Sequence, residues 1–436
     1  MGHMGQLKQE YRGLMERLDH LTVAMPRPED ERALQGWREL LEVMYSPEEA
    51  ALASRMPMMP TPLSKLARRF DMPEQELGQK LEPLCDKGLV MDLVSRSTGE
   101  TKYLLAPPVI GFFEFSMMRA HDMFDKLSVA KAMDAYVHGD DTFAREVFGN
   151  DTVIGRAMVH EDVLAADMPE VLDWERTTKL IEESEQLAVS QCYCRHKAAH
   201  LGKACDAPQE ICLSLNNGAE FVIRRGFGRP INKQQALSIV TKARKIGLVQ
   251  IADNVKNEPA YVCNCCACCC GQLSAINEFG LRAVNPSGFE PQHDPEECKG
   301  CSRCSRACPV AAIAMTPERT GGKRKNELYP VFDSELCIGC GVCATTCKQE
   351  AIRMERGAEP SHVPVNTIER VVRQMLERGR LADLLFDESE SRGAAFLNHA
   401  VRAITHLPPA ERALASEQVK SRFVSFVVEN APAIDA

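Results

Sequence analysis

The sequence predicts an α+β protein built from several domains. Its 436 residues are enough for about three domains of ordinary size. Helical periodicity fills both ends of the chain, two short strand-like runs follow the first helices, and most of the nineteen cysteines crowd into a central region. These observations divide the chain into residues 5–110, 111–285, 286–358 and 359–436.

The composition indicates a chain that works in a reducing compartment. The formal net charge is −9, which disfavours general affinity for nucleic acid or for an acidic membrane surface. No apolar run approaches the ~18 residues of a membrane span, and the start of the chain, MGHM, resembles a cloning remnant rather than an export signal. We therefore expect a cytoplasmic protein whose cysteines are metal ligands rather than disulfide partners.

The N-terminal region combines helices with a strand–turn–strand segment. The apolar spacing predicts helices over residues 7–23, 34–45, 63–70 and 73–87. Thr61 and Pro62 supply an N-cap and a first-turn proline for the third of these helices. Residues 88–105 then form two strands around a turn. This order of helix, turn, helix and two-stranded wing resembles the winged-helix family.

The charge of the fourth helix argues against DNA binding by this winged-helix-like domain. Its side chains include Glu74, Glu76, Glu82 and Asp86 against Lys80 and Lys87. DNA affinity depends largely on neutralising phosphates, and this face would repel them. Pro83 is also unfavourable inside a straight helix. The domain is instead expected to contact a partner protein or a second copy of the chain.

The region from 111 to 285 is predicted to be mostly helical and rich in cysteine. Its expected elements are a helix over 174–189, a short strand over 220–223 and a helix over 232–247. A first group of thiols comprises Cys192, Cys194, Cys205 and Cys212. Four converging thiolates need a metal, because the ion offsets their mutual repulsion. Arg195, His196 and Lys197 add positive charge beside these sulfurs.

A second group in this region comprises Cys263, Cys265, Cys266, Cys268, Cys269 and Cys270. Adjacent residues point in different directions, so a subset of these thiols would ligate. A disulfide between neighbours would be strained. Cys269-Cys270-Gly271 resembles the CCG motif of heterodisulfide reductases, although the distant Cys-x-x-Cys partner of that motif is missing. We expect a further metal site here, completed by its own thiols or by those of the first group.

Two copies of Cys-x-x-Cys-x-x-Cys-x-x-x-Cys follow. They comprise Cys298, Cys301, Cys304 and Cys308, then Cys337, Cys340, Cys343 and Cys347. Pro309 follows the first copy, and Lys348 stands where the second copy would usually have proline. Two zinc ribbons would need a longer spacer between Cys-x-x-Cys pairs. The segment resembles the bacterial dicluster ferredoxins, in which the fourth cysteine of each copy ligates the other cluster.

This resemblance implies two [4Fe–4S] clusters with exchanged fourth ligands. One would be held by Cys298, Cys301, Cys304 and Cys347, and the other by Cys337, Cys340, Cys343 and Cys308. The basic insert at 316–329 is interpreted as a docking loop. Beside this iron–sulfur domain, the groups at 192–212 and 263–270 are expected to bind iron–sulfur clusters in preference to structural zinc. Beyond residue 359, apolar faces predict helices, including 366–386 and 410–428, which would cover the cluster domain or form a dimer.

Together these features predict a soluble, low-potential electron carrier from an anaerobic or microaerobic host. It would relay single electrons to or from a partner oxidoreductase. The arrangement is similar to multi-cluster ferredoxin proteins with an N-terminal winged helix. Two alternatives remain open, a redox-sensing transcription regulator and an electron-input subunit of a larger oxidoreductase. No Walker loop, nucleophile elbow or flavin motif indicates further chemistry, although the 263–270 group would suit catalysis on a sulfur compound.

Overall fold

The computed structural model describes residues 9–96, 98–119, 123–164, 171–317, 328–357 and 362–380. They form two compact units, one containing residues up to Thr152 and those from Thr367, and the other running from Val153 to Asn366. Both contain helices and strands, which agrees with the predicted α+β class. The start of the first helix, most of the basic insert, residues 381–386 of the helix predicted over 366–386 and the helix over 410–428 lie outside the described residues. No described helix is both long and apolar enough to cross a membrane.

The first unit is mainly helical. Its helices are α1 (Gln9–Asp19), α2 (Glu31–Met44), α3 (Pro47–Ala53), α4 (Leu63–Phe70), α5 (Glu74–Lys87), α6 (Phe113–Met118), α7 (Lys126–Gly139), α8 (Thr142–Phe148) and α16 (Thr367–Glu377). Three short strands form an antiparallel sheet in the order β1-β3-β2. They are β1 (Thr61–Pro62), β2 (Val90–Val94) and β3 (Thr101–Leu105).

Local sequence explains where several of these helices begin. The Asp30 side chain accepts a hydrogen bond from the backbone N–H of Ala33 at the start of α2 (3.0 Å), and Ser46 and Glu49 form a capping box at α3, which satisfies N–H groups that a helix leaves free. α5 continues through Pro83 to its end. The predicted cap of α4 is wrong, because Thr61 and Pro62 form β1 and α4 begins after Pro62 without a side-chain cap.

A seven-stranded mixed sheet forms the centre of the second unit. Its strands are β4 (Gly155–Met158), β5 (Leu187–Gln191), β6 (Glu210–Leu215), β7 (Arg229–Pro230), β8 (Val249–Asp253), β9 (Tyr261–Cys265) and β10 (Val284–Asn285). They lie in the order β10-β4-β8-β9-β6-β5-β7. The β10–β4 pair is parallel and the other pairs are antiparallel. Around the sheet lie α9 (Thr177–Glu183), α10 (Tyr193–His200), α11 (Asn216–Arg224), α12 (Lys233–Lys245) and α13 (Gly271–Phe279).

This sheet corrects the prediction that the cysteine-rich middle region is mostly helical. Every residue of β8 is buried, and all but the last of β5. Strands buried on both faces lose their alternation and cannot be told from buried helices by periodicity. The predicted helix over 174–189 therefore gives way to α9 followed by β5, and the predicted strand over 220–223 lies inside α11.

The remaining residues of the second unit form a small pseudo-symmetric segment. Its elements are β11 (Phe289–His293), α14 (Arg303–Ala307), β12 (Ile313–Thr316), β13 (Tyr329–Phe332), α15 (Val342–Thr346) and β14 (Ile352–Arg356). β11 pairs with β14 and β12 with β13, both antiparallel. Each short helix precedes the fourth cysteine of its motif, so the two motif copies adopt the same local structure.

Candidate metal centres

The first cavity brings Cys298, Cys301 and Cys304 of one motif together with Cys347 of the other. It is otherwise lined in part by apolar side chains such as Met315. The backbone N–H of Gly300 donates to Cys298 Sγ (3.4 Å). Donors of this kind stabilise the negative charge of a ligating sulfur.

Gly300 is also the residue that permits the tight loop of the first motif. Its φ is +63°, a region that L-residues rarely adopt. A Cβ at this position would lie 2.5 Å from the carbonyl oxygen of Leu328. The first motif therefore needs glycine here for both conformation and space.

The second cavity has the same design with the motifs exchanged. Cys337, Cys340 and Cys343 line it together with Cys308. The backbone N–H of Ala312 donates to Cys308 Sγ (3.2 Å). Burial raises the pKa of Cys340 to about 12, so this thiol is neutral at physiological pH until a metal displaces its proton.

The donor sets of both cavities fit a four-iron cluster. Each has four thiols around an enclosed space, apolar lining and backbone N–H groups aimed at sulfur. Thiolates with such second-sphere donors are the usual ligands of [4Fe–4S] clusters. The structure therefore brings together the same two sets of four cysteines that the resemblance to dicluster ferredoxins implies. Their role as ligands stays a prediction.

The other ten cysteines of the second unit are divided differently from the expectation. The groups at 192–212 and 263–270 do not form separate sites, because each contributes to two assemblies. We call these the six-thiol cluster and the four-thiol cluster. The six-thiol cluster comprises Cys192, Cys194, Cys212, Cys263, Cys265 and Cys270. The four-thiol cluster comprises Cys205, Cys266, Cys268 and Cys269.

Sheet geometry assembles the six-thiol cluster. Cys263 and Cys265 are two residues apart on β9, so their side chains lie on one face. The register pairs Leu213 of β6 with Val262 of β9, which puts Cys212 opposite Cys263. Cys192 and Cys270 immediately precede α10 and α13, so the starts of these two helices place their sulfurs beside β9.

The six thiols form a closed ring in which each contacts two others. Hydrogen bonds from Cys212 and Cys265 lower the pKa of Cys263 to about 7. The hydrogen bond to Cys192 helps raise the pKa of Cys194 to about 12. Cys263 is thus the thiol of the ring that ionises most readily, and binding of a metal would displace the protons of the others.

The four-thiol cluster is more compact. Its four sulfurs all lie within 4.8 Å of one another, and the Cys205–Cys266 and Cys268–Cys269 sulfurs are each 3.6 Å apart. The hydrogen bond from Cys269, reinforced by Arg195, lowers the pKa of Cys266 to about 4. At physiological pH this cluster therefore contains a thiolate, the form that binds metal.

Arg195 is the positive group of the four-thiol cluster. Its side chain is fully buried. Its Nη2 donates to Cys266 Sγ (3.4 Å) and to the Asn264 carbonyl oxygen (3.4 Å), and its Nη1 donates to the Pro208 carbonyl oxygen (2.6 Å). The positive charge predicted near these sulfurs thus comes from Arg195, whereas the ring of His196 contacts that of His200.

Two residues that the sequence did not single out, His160 and Asn277, contact the segments that line the second cavity. The buried His160 donates its backbone N–H to the Cys340 carbonyl oxygen (3.0 Å), and its ring contacts Thr345 Oγ1 (2.8 Å) and the Leu248 carbonyl oxygen (3.0 Å). Asn277 of α13 donates to the carbonyl oxygen of Pro309 (3.0 Å). A lone histidine in a loop carries no sequence signal for such a role.

Comparison with known families assigns a class to part of this unit. Residues 297–351 match the family model of a 4Fe-4S dicluster domain. Searches of curated proteins and of solved structures found no significant match. The matched segment contains both motif copies, and together with the clustered cysteines it supports iron–sulfur electron transfer.

Proposed function

We propose that this protein transfers single electrons between a low-potential donor and a partner oxidoreductase, through two [4Fe–4S] clusters bound in the first and second cavities. The observation that carries the proposal is the exchanged fourth cysteine. Each cavity takes three cysteines from one motif copy and one from the other. A bound cluster supplies a one-electron couple, and the protein positions it and tunes its potential.

The exposure of the thiols indicates the side of the protein where electrons are exchanged. Cys301 in the first cavity is exposed, whereas Cys340 and Cys343 in the second cavity are buried. We infer that electrons are exchanged with the partner at the Cys301 side. The N–H groups of Gly300 and Ala312 would stabilise the more negative reduced state and so raise the potentials.

We propose that the six-thiol cluster binds a further iron–sulfur group that continues the relay. Six thiols exceed the four that one cube requires, and their ring is more open than the four-thiol cluster. α13 begins directly after Cys270, and its Asn277 contacts Pro309, the neighbour of Cys308 in the second cavity. The helical rise from Cys270 to Asn277 is about 10 Å, which supports close electronic communication between the two sites.

We further propose that α4, α5 and the three-stranded sheet act as a winged-helix-like module for protein contact. Glu74, Glu76 and Glu82 are exposed on α5. The lysines of α5 are already engaged, since Lys87 pairs with Glu49 (2.6 Å) and Lys80 with Glu76 (3.4 Å). The charge of this face suits a basic patch on a redox partner or on a second copy of the chain better than DNA phosphates.

The experiment that tests the electron-transfer proposal is anoxic purification followed by iron and sulfide quantification and EPR of the reduced protein. The two cavities should contribute about eight irons and eight acid-labile sulfides per chain, and reduction should give [4Fe–4S]⁺ signals. Cys85→Ala should bind as much iron and sulfide as the unsubstituted protein, because Cys85 is a buried cysteine of the first unit. A chain that binds iron without labile sulfide would refute the proposal.

A further inference from the structure

We propose that the four-thiol cluster binds a single metal ion in tetrahedral tetrathiolate coordination, as Zn²⁺ or Fe²⁺, and not an iron–sulfur cube. This site goes beyond the electron-transfer function, and it departs from the expectation that both extra cysteine groups hold iron–sulfur clusters. The inference stands on the spacing of four sulfurs and on the charge balance of Arg195.

The sulfur spacing fits one ion. A tetrahedral centre with metal–sulfur bonds of ~2.3 Å places its sulfurs about 3.8 Å apart. Two sulfur pairs of the cluster are 3.6 Å apart, and the whole set lies within 4.8 Å. A cube would put four irons and four sulfides between the thiolates and force the sulfurs farther apart.

The two ferredoxin-type cavities provide an internal comparison. Their cysteines belong to the segment that matches a 4Fe-4S dicluster domain. Among the described residues, no other set of three or more cysteines is as close as the four-thiol cluster. The same chain therefore has more widely spaced thiols where the family model indicates cubes and a compact set at this site.

The charge of Arg195 requires a negative neighbour. A fully buried guanidinium is costly unless it is paired, and no carboxylate in the described part of the chain forms an ion pair with Arg195. Its Nε is buried without a hydrogen-bond partner, while its Nη2 lies 3.4 Å from Cys266 Sγ. Four thiolates around a divalent ion carry a net charge of about −2, which offsets the charge of Arg195.

The chain path explains how these thiols separate from the six-thiol cluster. Cys265 ends β9 and Cys270 precedes α13, and the turn between them carries Cys266, Cys268 and Cys269. The side chains of the turn diverge from those at its two ends. Cys205 reaches them from the loop after α10, in the other cysteine group. The ion would thus join two loops that are distant in sequence.

The test compares Cys268→Ala and Cys205→Ala with the Cys85→Ala control. Each protein is purified anoxically and dialysed against a chelator, and zinc, iron and acid-labile sulfide are measured per chain. Both cluster variants should lose about one metal equivalent, of zinc or of iron, with sulfide unchanged. Cys85→Ala should lose none.

Two results would overturn the proposal. One is a parallel loss of several irons and sulfides in either variant, which would indicate a cube. The other is unchanged metal content in both variants. The reduced EPR signals of the first and second cavities show whether the second unit has folded. If these signals are present and the metal content is unchanged, this inference fails while the electron-transfer proposal stands. Cys268 is exposed, so its truncation removes little packing.

Discussion

Replacing Cys347 with alanine tests the exchanged ligation most directly. Cys347 belongs to the second motif copy but lines the first cavity with Cys298, Cys301 and Cys304. The variant should therefore lose the cluster of the first cavity, about four irons and four sulfides per chain. The spin count of the two cavities after full reduction should fall from about two to about one per chain.

The assay is spin integration of the reduced protein together with the line shape of the remaining signal. Cys347→Ala should resemble Cys301→Ala, because both substitutions empty the first cavity, and should differ from Cys340→Ala. The surviving cluster would be the one lined by the buried Cys340 and Cys343. A Cys347→Ala spectrum identical to that of Cys340→Ala would show that each motif copy binds its own cluster, and our reasoning would be wrong.

Three further predictions concern stability and partner choice. His160→Phe should destabilise the second unit by about 1–3 kcal/mol, because the Leu248 carbonyl loses its hydrogen bond to the His160 ring, whereas the Thr345 hydroxyl keeps its bond to the Gly341 carbonyl. Faster amide hydrogen exchange in α15 would reveal this loss, and unchanged exchange would contradict it. Gly300→Ala should lower the thermal midpoint more than Gly99→Ala, since both have positive φ but a Cβ at 99 meets nothing within 4 Å; equal shifts would exclude the proposed clash. Binding assays on pooled genomic fragments should detect no tight, salt-sensitive complex with oxidised or reduced protein; such a complex would favour the regulator alternative.

The features that could be predicted from the sequence depend on residues that are close together in the chain. Cys-x-x-Cys spacing and the loop glycines act over a few residues, so they identify the three cysteines that each motif copy contributes to one cavity. The exchange of Cys308 and Cys347 comes from the resemblance to dicluster ferredoxins and not from local spacing. The helix predicted over 34–45 corresponds to α2, which begins at Glu31 after Asp30. The division of the other ten cysteines depends on strand register. Nothing in the spacing indicates that Cys212 lies opposite Cys263, because their proximity follows from the pairing of β6 with β9.

The missed sheet has a different physical cause. β5 and β8 are buried on both faces, so neither shows the alternation that identifies a half-exposed strand. The prediction for 220–223 is wrong in the opposite direction, because a strand was expected where the structure has a helix. Its apolar run, Phe221 to Ile223, has high strand propensity, yet it packs as part of α11. Tertiary burial decided both cases, and burial is not visible in single-residue preferences.

The turn from Cys265 to Cys270 restricts where insertions and deletions can be tolerated. Successive cysteines along it face two different assemblies, so the position of each one in the chain decides which assembly receives its sulfur. One inserted residue between Cys266 and Cys268 would rotate the following side chains and redirect them to the wrong assembly. A deletion would do the same. We therefore expect substitutions elsewhere in this unit to be tolerated far better than any insertion or deletion in this turn.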